Sequence, residues 1–162
     1  MKMEMYRNKI KDLPGIKKDI DLLKAAGEKI VFTNGCFDIL HPGHVRYLFS
    51  ARELGDYLVV AVNSNISVKA IKGPERPVLQ EEERAEVMAA LGCVDGVVIF
   101  HEDNPLKVIK YLMPDVLVKG GDWPEEKMIG AEVVKKAGGE VRSIPYIYGF
   151  STTEIIKKIK RG

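Results

Sequence analysis

Thr33-Asn34-Gly35-Cys36-Phe37-Asp38-Ile39-Leu40-His41-Pro42-Gly43-His44 is the stretch whose reading decides the fold. The apolar run Ile30-Val31-Phe32 feeds it and has the β-branched and aromatic character of a strand. Pro42 then opens an amphipathic helix, the first-turn placement that proline's fixed φ and missing N–H favour. The two imidazoles therefore flank a helix N-terminus, where unpaired N–H groups and a partial positive charge attract phosphate. Gly43, with no Cβ, lets a ligand press against the backbone between them.

Outward from this point, strand-like and helix-like segments alternate. A helical stripe covers Ile16 to Ala26 and is followed by a strand over Ile30 to Thr33 and a helix over Gly43 to Leu54. Leu58 to Asn63 is continuously apolar, as in a buried parallel strand. Glu81 to Leu91 is a helix, Val94 to Phe100 a strand, Pro105 to Tyr111 a short helix and Val116 to Lys119 a strand. Glu125 to Ala137 is a helix closed by Gly138-Gly139, Glu140 to Ile144 a fifth strand, and Ser151 to Lys160 the last helix. This order predicts an α/β fold, a Rossmann-like, doubly wound, parallel five-stranded sheet. Residues 1–162 are expected to form one domain, with residues 1–27 as a helical N-terminal extension suited to subunit contacts in a homo-oligomer.

Ligands of such sheets bind beyond the carboxyl ends of the strands. His41 and His44 follow the first strand there, Asn63 and Lys72 the second, Gly120 to Trp123 the fourth, and Ser151 to Thr153 the fifth. The polar segment Asn65 to Leu79, with Lys69, Lys72 and Arg76, is expected to be a mobile phosphate-binding lid. No G-x-G-x-x-G follows the first strand, which argues against a dinucleotide-binding protein.

Composition narrows the function. The chain is 46% hydrophobic and 30% charged with a net charge of +2, too little to argue for a nucleic-acid partner. Its longest apolar run, Tyr57 to Val62, is far too short to span a bilayer. Met1 to Lys11 does not read as a secretory signal, and two cysteines suit a reducing compartment, so a cytoplasmic protein without membrane partners is expected.

For the histidines, three readings stand side by side: phosphate chemistry, one packed and one exposed imidazole, or metal ligation with Cys36 or His101. Nucleotidyl transfer suits the first, because two imidazoles and a helix N-terminus can stabilise charge at an α-phosphate with no covalent intermediate. Lys72 and Arg76 are either solvated loop charges or triphosphate ligands. Lys119-Gly120-Gly121-Asp122-Trp123 is either a tight turn or a close backbone approach to a nucleotide, with Asp122 as acceptor and Trp123 as wall. Ser151-Thr152-Thr153-Glu154 matches a capping box, compatible with a second anion site at that helix start. Asp38 beside anionic ligands either binds magnesium, orients a group or is structural.

Together these residues resemble the cytidylyltransferase-like branch of the nucleotidyltransferases, whose H-x-G-H signature is here His41-Pro42-Gly43-His44. The stretch Pro114 to Asp122 resembles more specifically the heptose 1-phosphate adenylyltransferases, a unit that occurs alone or fused to a sugar kinase. Asn65 stands where that branch often has aspartate, and Trp123 where it often has tyrosine. Tyr148-Gly149-Phe150 lacks the arginine that glycerol 3-phosphate cytidylyltransferases carry before the serine-threonine signature. The resemblance implies adenylyl transfer from ATP, accompanied by magnesium, to D-glycero-β-D-manno-heptose 1-phosphate, giving ADP-heptose and pyrophosphate for lipopolysaccharide core synthesis. A separate sugar kinase would supply the acceptor. It implies His41, His44 and Lys72 as catalytic residues. Asn34, Cys36, Phe37, Gly43, Lys119, Asp122, Ser151, Thr152 and Thr153 would bind the nucleotide, and Asp38, Asn63, Arg76 and Trp123 the substrate. The alternatives are a cytidylyl- or FMN adenylyltransferase of the same superfamily, or a nucleotide-binding module without catalysis.

Overall fold

Alternate side chains of the first strand leave the sheet on opposite faces, and each face finds its own core. In the computed structural model, which describes residues 5–121, 124–145 and 149–162, that strand is β1 (Ile30–Gly35). It is joined by β2 (Tyr57–Asn63), β3 (Gly96–Phe100), β4 (Val116–Gly120) and β5 (Glu140–Ile144). All pairings are parallel, in the order β3-β2-β1-β4-β5. The chain lays β1, β2 and β3 in one direction, then returns to place β4 on the other side of β1. The sheet's switch point thus lies between β1 and β4, where a parallel α/β sheet opens a crevice at its carboxyl edge.

One core gathers Ile30, Phe32, Val59, Ala61 and Leu117 beneath α1 (Leu13–Ala25), α5 (Leu106–Leu112) and α6 (Ala131–Lys136). The other gathers Val31, Leu58, Val60, Val62 and Val116 beneath α2 (Pro42–Arg52) and α4 (Glu81–Ala90). The near-continuous apolar strands follow from this two-sided burial. Asp12 caps α1 by accepting from the Gly15 N–H (2.8 Å). Ile16 and Ile20 are fully buried in the first core, which contributes about 3–6 kcal/mol to seating the helix. The edge of β3 is covered by the segment before α1, where the Lys11 N–H donates to the Val97 carbonyl (3.0 Å).

Two elements differ from the sequence expectation. Asn65 to Lys72 is a helix, α3, not part of a loop. Ser64 Oγ accepts from the Ser67 N–H (3.3 Å), and only Ser67 and Val68 of the helix are buried, so no apolar stripe marks it. The helix expected over Glu125 to Ala137 is split into a 3₁₀ turn (Glu125–Lys127) and α6, because Gly130 takes φ 89°. That backbone excludes most L-residues, and a Cβ there would lie 2.6 Å from Ile109 Cδ1. The last helix, α7 (Thr152–Arg161), has no buried residue. Among the described residues no helix is long and apolar enough to cross a membrane.

Candidate active site

Beyond the end of β1 the chain turns through two left-handed residues, Phe37 (φ 47°) and Ile39 (φ 53°). Neither is a glycine, and each such residue stores roughly 1–3 kcal/mol of strain unless the surroundings impose it. The surroundings do. The Phe37 ring is buried against the second core. The Asp38 carboxylate, 0% exposed, accepts from Arg76 Nε (2.7 Å) and the N–H groups of Val78 (2.8 Å) and Leu79 (3.0 Å). Burial alone would raise the Asp38 carboxyl. The Leu79 and Val78 donors and the Arg76 guanidinium outweigh it and hold the group below its ordinary value. The Thr152 hydroxyl donates to the Asp38 carbonyl (2.7 Å) and pulls the start of α7 onto the same loop.

At the start of α2, the His41 and His44 rings stack with centroids 3.8 Å apart and planes 21° from parallel. The His41 N–H points at His44 Nδ1 (3.4 Å), a long hydrogen bond that leaves the His44 proton on Nε2. His41 Nδ1 is buried and has no partner among the described residues. Burial pushes His44 down to about 4, with His41 adding to the effect, and burial lowers His41 as well. Both rings are therefore neutral near pH 7. Phe150 lies 6.2 Å from the His41 ring, and a Cβ on Gly43 would sit 2.9 Å from His41 Nδ1 and 3.1 Å from Phe150 Cβ. The starts of α2 and α7 thus approach each other beside a hollow of about 380 Å³ lined by Leu40, His41, Pro42, Val45 and Arg46. Two helix N-termini and two neutral imidazoles suit an extended polyanion.

The remaining sequence candidates divide clearly. Asn34 lies near the end of β1 and Cys36 just beyond it, and burial raises the Cys36 thiol although the cations of Lys72, Arg84 and Arg76 oppose it. Lys72 ends α3 with its side chain exposed. Lys119, near the end of β4, has no hydrogen-bond or ion-pair partner among the described residues, and burial lowers its ammonium. Asn63 is buried and donates to Ser67 Oγ (2.9 Å), while Arg76 is committed to Asp38. Asn63 Nδ2, Arg76 Nε and both Asp38 oxygens are thus hydrogen-bonded to protein, while the terminal nitrogens of Arg76 have no partner among the described residues. Gly121, at φ 105°, donates to the Ile144 carbonyl (2.8 Å), and the expected contacts Asp122 and Trp123 lie outside the described residues. The expected capping box of α7 does not form: Glu154 pairs with Lys157 (2.8 Å), and Ser151 makes no side-chain cap. Thr153 is exposed in the first turn.

Sequence reasoning took Arg84 only as a helix former within Glu81 to Leu91, and it is fully buried on α4. Its signal was a charged residue within the apolar stripe of Ala85, Met88 and Ala89. It also passed over Arg46, whose Cζ sits 5.6 Å over the Phe150 ring. Among the described residues, no group of three or more His, Cys, Asp or Glu side chains could hold a metal ion, so metal ligation by the histidine pair lacks a ligand set.

The family model for cytidylyltransferase-like proteins matches residues 32–158. The bifunctional protein HldE of Geotalea uraniireducens (strain Rf4) is 53% identical over 154 residues, covering 95% of this chain and 31% of that protein. Its counterpart in Geobacter metallireducens is 54% identical with the same coverage. The chain thus spans about a third of the length of the curated relatives it matches. The crystal structure of a lipopolysaccharide core biosynthesis protein from Thermoplasma volcanium GSS1 superimposes with a TM-score of 0.61 at 31% identity, covering 75% of this chain and 98% of that one. Pantoate-beta-alanine ligase from Francisella tularensis, solved with beta-gamma ATP and beta-alanine, shares the fold, with a TM-score of 0.59 at 16% identity over 94% of this chain and 78% of its own.

Proposed function

Because the chain belongs to the cytidylyltransferase-like family of nucleotidyltransferases, we propose that it transfers the adenylyl group of ATP to D-glycero-β-D-manno-heptose 1-phosphate. The products are ADP-heptose and pyrophosphate. The observation that carries this reading is the stacked, neutral His41–His44 pair at a helix start that faces a second helix start. The choice of acceptor is supported by the likeness of residues 114–122 to the heptose branch and by the similarity to a lipopolysaccharide core biosynthesis protein.

A phosphate oxygen of the acceptor attacks the α-phosphorus of ATP, the bond to the β-phosphate bridging oxygen breaks, and pyrophosphate leaves with that electron pair. The nucleophile is already an anion near neutral pH, so no general base is needed. His44 Nε2–H, the His41 imidazole and the Gly43 N–H stabilise the charge that develops on the α-phosphate and leaving oxygen. The first turn of α7, with Ser151, Thr152 and Thr153, receives the outer phosphates. Lys72 adds a point charge from the end of α3, and Lys119 a second from β4. Asn34, Cys36 and Phe37 offer polar groups at the end of β1, and Asp122 and Trp123 complete the nucleoside and sugar side. Asp38 and Arg76 act as positioning residues for the loop that carries the histidines.

Both oxygens of the Asp38 carboxylate are already occupied, and the described residues offer no ligand cage, so magnesium fits this chain as the ion carried by the triphosphate. Bound there, it would neutralise phosphate charge. The acceptor comes from a sugar kinase acting upstream in the cytoplasm.

The test is pyrophosphate release over a panel of ATP and CTP against both anomers of heptose 1-phosphate, glycerol 3-phosphate and FMN. Release with ATP and the β-anomer alone is expected. Release only with CTP or with FMN would transfer the chain to another branch. ATP binding without release for any acceptor would make it a non-catalytic module.

A further inference from the structure

Among the described residues Arg84 is the largest fully buried side chain and a charged one, yet none of its hydrogen bonds goes to a carboxylate. Its Nη1 donates to the Cys36 carbonyl (2.6 Å), Nε to the Leu79 carbonyl (3.0 Å) and Nη2 to Asn65 Oδ1 (3.2 Å). One guanidinium thus joins the loop after β1, the start of α3 and the segment before α4. A buried cation hydrogen-bonded only to neutral oxygens is costly, and the nearby charges of Asp38, Glu81 and Glu82 offset only part of the burial that lowers its pKa.

What it touches is the hinge of the strained loop. A trans peptide is planar, so a carbonyl fixed in one direction sends the N–H of the same peptide in the opposite one. Fixing the Cys36 carbonyl on Arg84 therefore points the Phe37 N–H away from α4. The backbone N–H groups of residues 36–40 donate to no acceptor among the described residues. Left-handed residues at Phe37 and Ile39 bring successive N–H groups of such a loop toward a common side, the geometry of an anion-binding nest. A cation on the carbonyl side also polarises the peptide and strengthens its N–H as a donor.

We propose that Arg84 is a positioning residue for nucleotide binding, acting through the Cys36–Phe37 peptide to hold the Phe37 N–H ready for a phosphate oxygen. The reading rests on the nucleotide site described above. It separates Arg84 from a purely structural tie, because a tie would be felt in stability and not selectively in the affinity for a phosphate chain.

Arg84→Lys and Arg84→Ala are compared with wild type using the α,β-methylene analogue of ATP, by calorimetry and by thermal melting of the same samples. A lysine keeps the charge but cannot fork to three acceptors. Both variants are expected to bind the analogue roughly 10- to 100-fold more weakly, the loss for one charge-assisted hydrogen bond. The KM of the sugar phosphate should be unchanged. Millimolar guanidinium should restore part of the Arg84→Ala affinity, and sodium chloride of equal ionic strength should not. Unchanged affinity in a folded variant, or weakening of both substrates alike without rescue, overturns the proposal.

Should neither variant fold, the backbone amide of Phe37 in ¹⁵N-labelled wild type decides. Its proton moves downfield with the analogue if the proposal holds. Wild type that binds the analogue without moving Phe37 refutes the role of Arg84 alone. Wild type that binds no analogue refutes the nucleotide site itself.

Discussion

Two protonated imidazoles cannot share the stack at the start of α2. With centroids 3.8 Å apart, a proton on one ring opposes a proton on the other, in addition to the larger cost of burial. Burial and His41 together already bring His44 from 6.5 to about 4. The sign of the linkage follows. Between these values the unfolded chain binds a proton that the folded chain refuses, so stability rises with pH across the window. The contribution is complete above 6.5 and is lost as the pH falls toward 4. The full shift corresponds to about 3 kcal/mol, which screening by water at this partly exposed ring reduces to roughly 1–2 kcal/mol. The carboxyl of Asp38, held below 3.8, keeps its own contribution until more acid pH, outside the window. Urea denaturation of wild type and His44→Gln at pH 7 and pH 4.5 measures the effect. Wild type should lose roughly 1–2 kcal/mol more than the variant between the two. An equal pH slope in both, or a free-protein His44 ring that titrates near 6.5 by NMR, would refute the reasoning.

Gly43→Ala places a methyl 2.9 Å from the His41 ring, which must move. Turnover should fall by roughly 10- to 100-fold with little change in melting, since alanine suits a helix and misplaced catalytic groups lose rate steeply. Asp38→Ala leaves the Arg76 guanidinium and two N–H groups without their acceptor. Loss of one partner of such a buried pair costs about 3–5 kcal/mol, read as a lower urea midpoint. Lys119→Ala removes a desolvated cation with no partner among the described residues, so its melting temperature should not fall, while the KM for ATP or for the sugar phosphate rises. Unchanged steady-state constants would remove Lys119 from the site.

The sheet was readable because burial on both faces writes strands as apolar runs, and Gly35 to Pro42 could only be a turn into a helix. Boundaries moved where context decided them. Asn65–Lys72 is helical on the strength of the Ser64 cap and two buried residues, too few to leave a period in the sequence. The bend at Gly130 answers to Ile109, about twenty residues earlier in the chain. The histidine pair was visible from spacing alone, but its stacking and neutrality arise from burial. The partners of Asp38 lie some forty residues downstream, and those of Arg84 on three separate segments. No local pattern carries contacts of that range. Ser151 and Glu154 had the right spacing for a cap, yet Lys157 competes successfully for the glutamate and Thr152 is turned to the Asp38 carbonyl.

The most direct measurement follows pyrophosphate and ADP-heptose formation by wild type and His44→Ala at pH 7.5, with ATP, magnesium and heptose 1-phosphate saturating and melting recorded on the same preparations. Wild type should form the two products one to one. The variant, equally folded, should turn over at least ~100-fold more slowly, as for other groups that stabilise transition-state charge. A folded His44→Ala that keeps wild-type turnover would contradict the account.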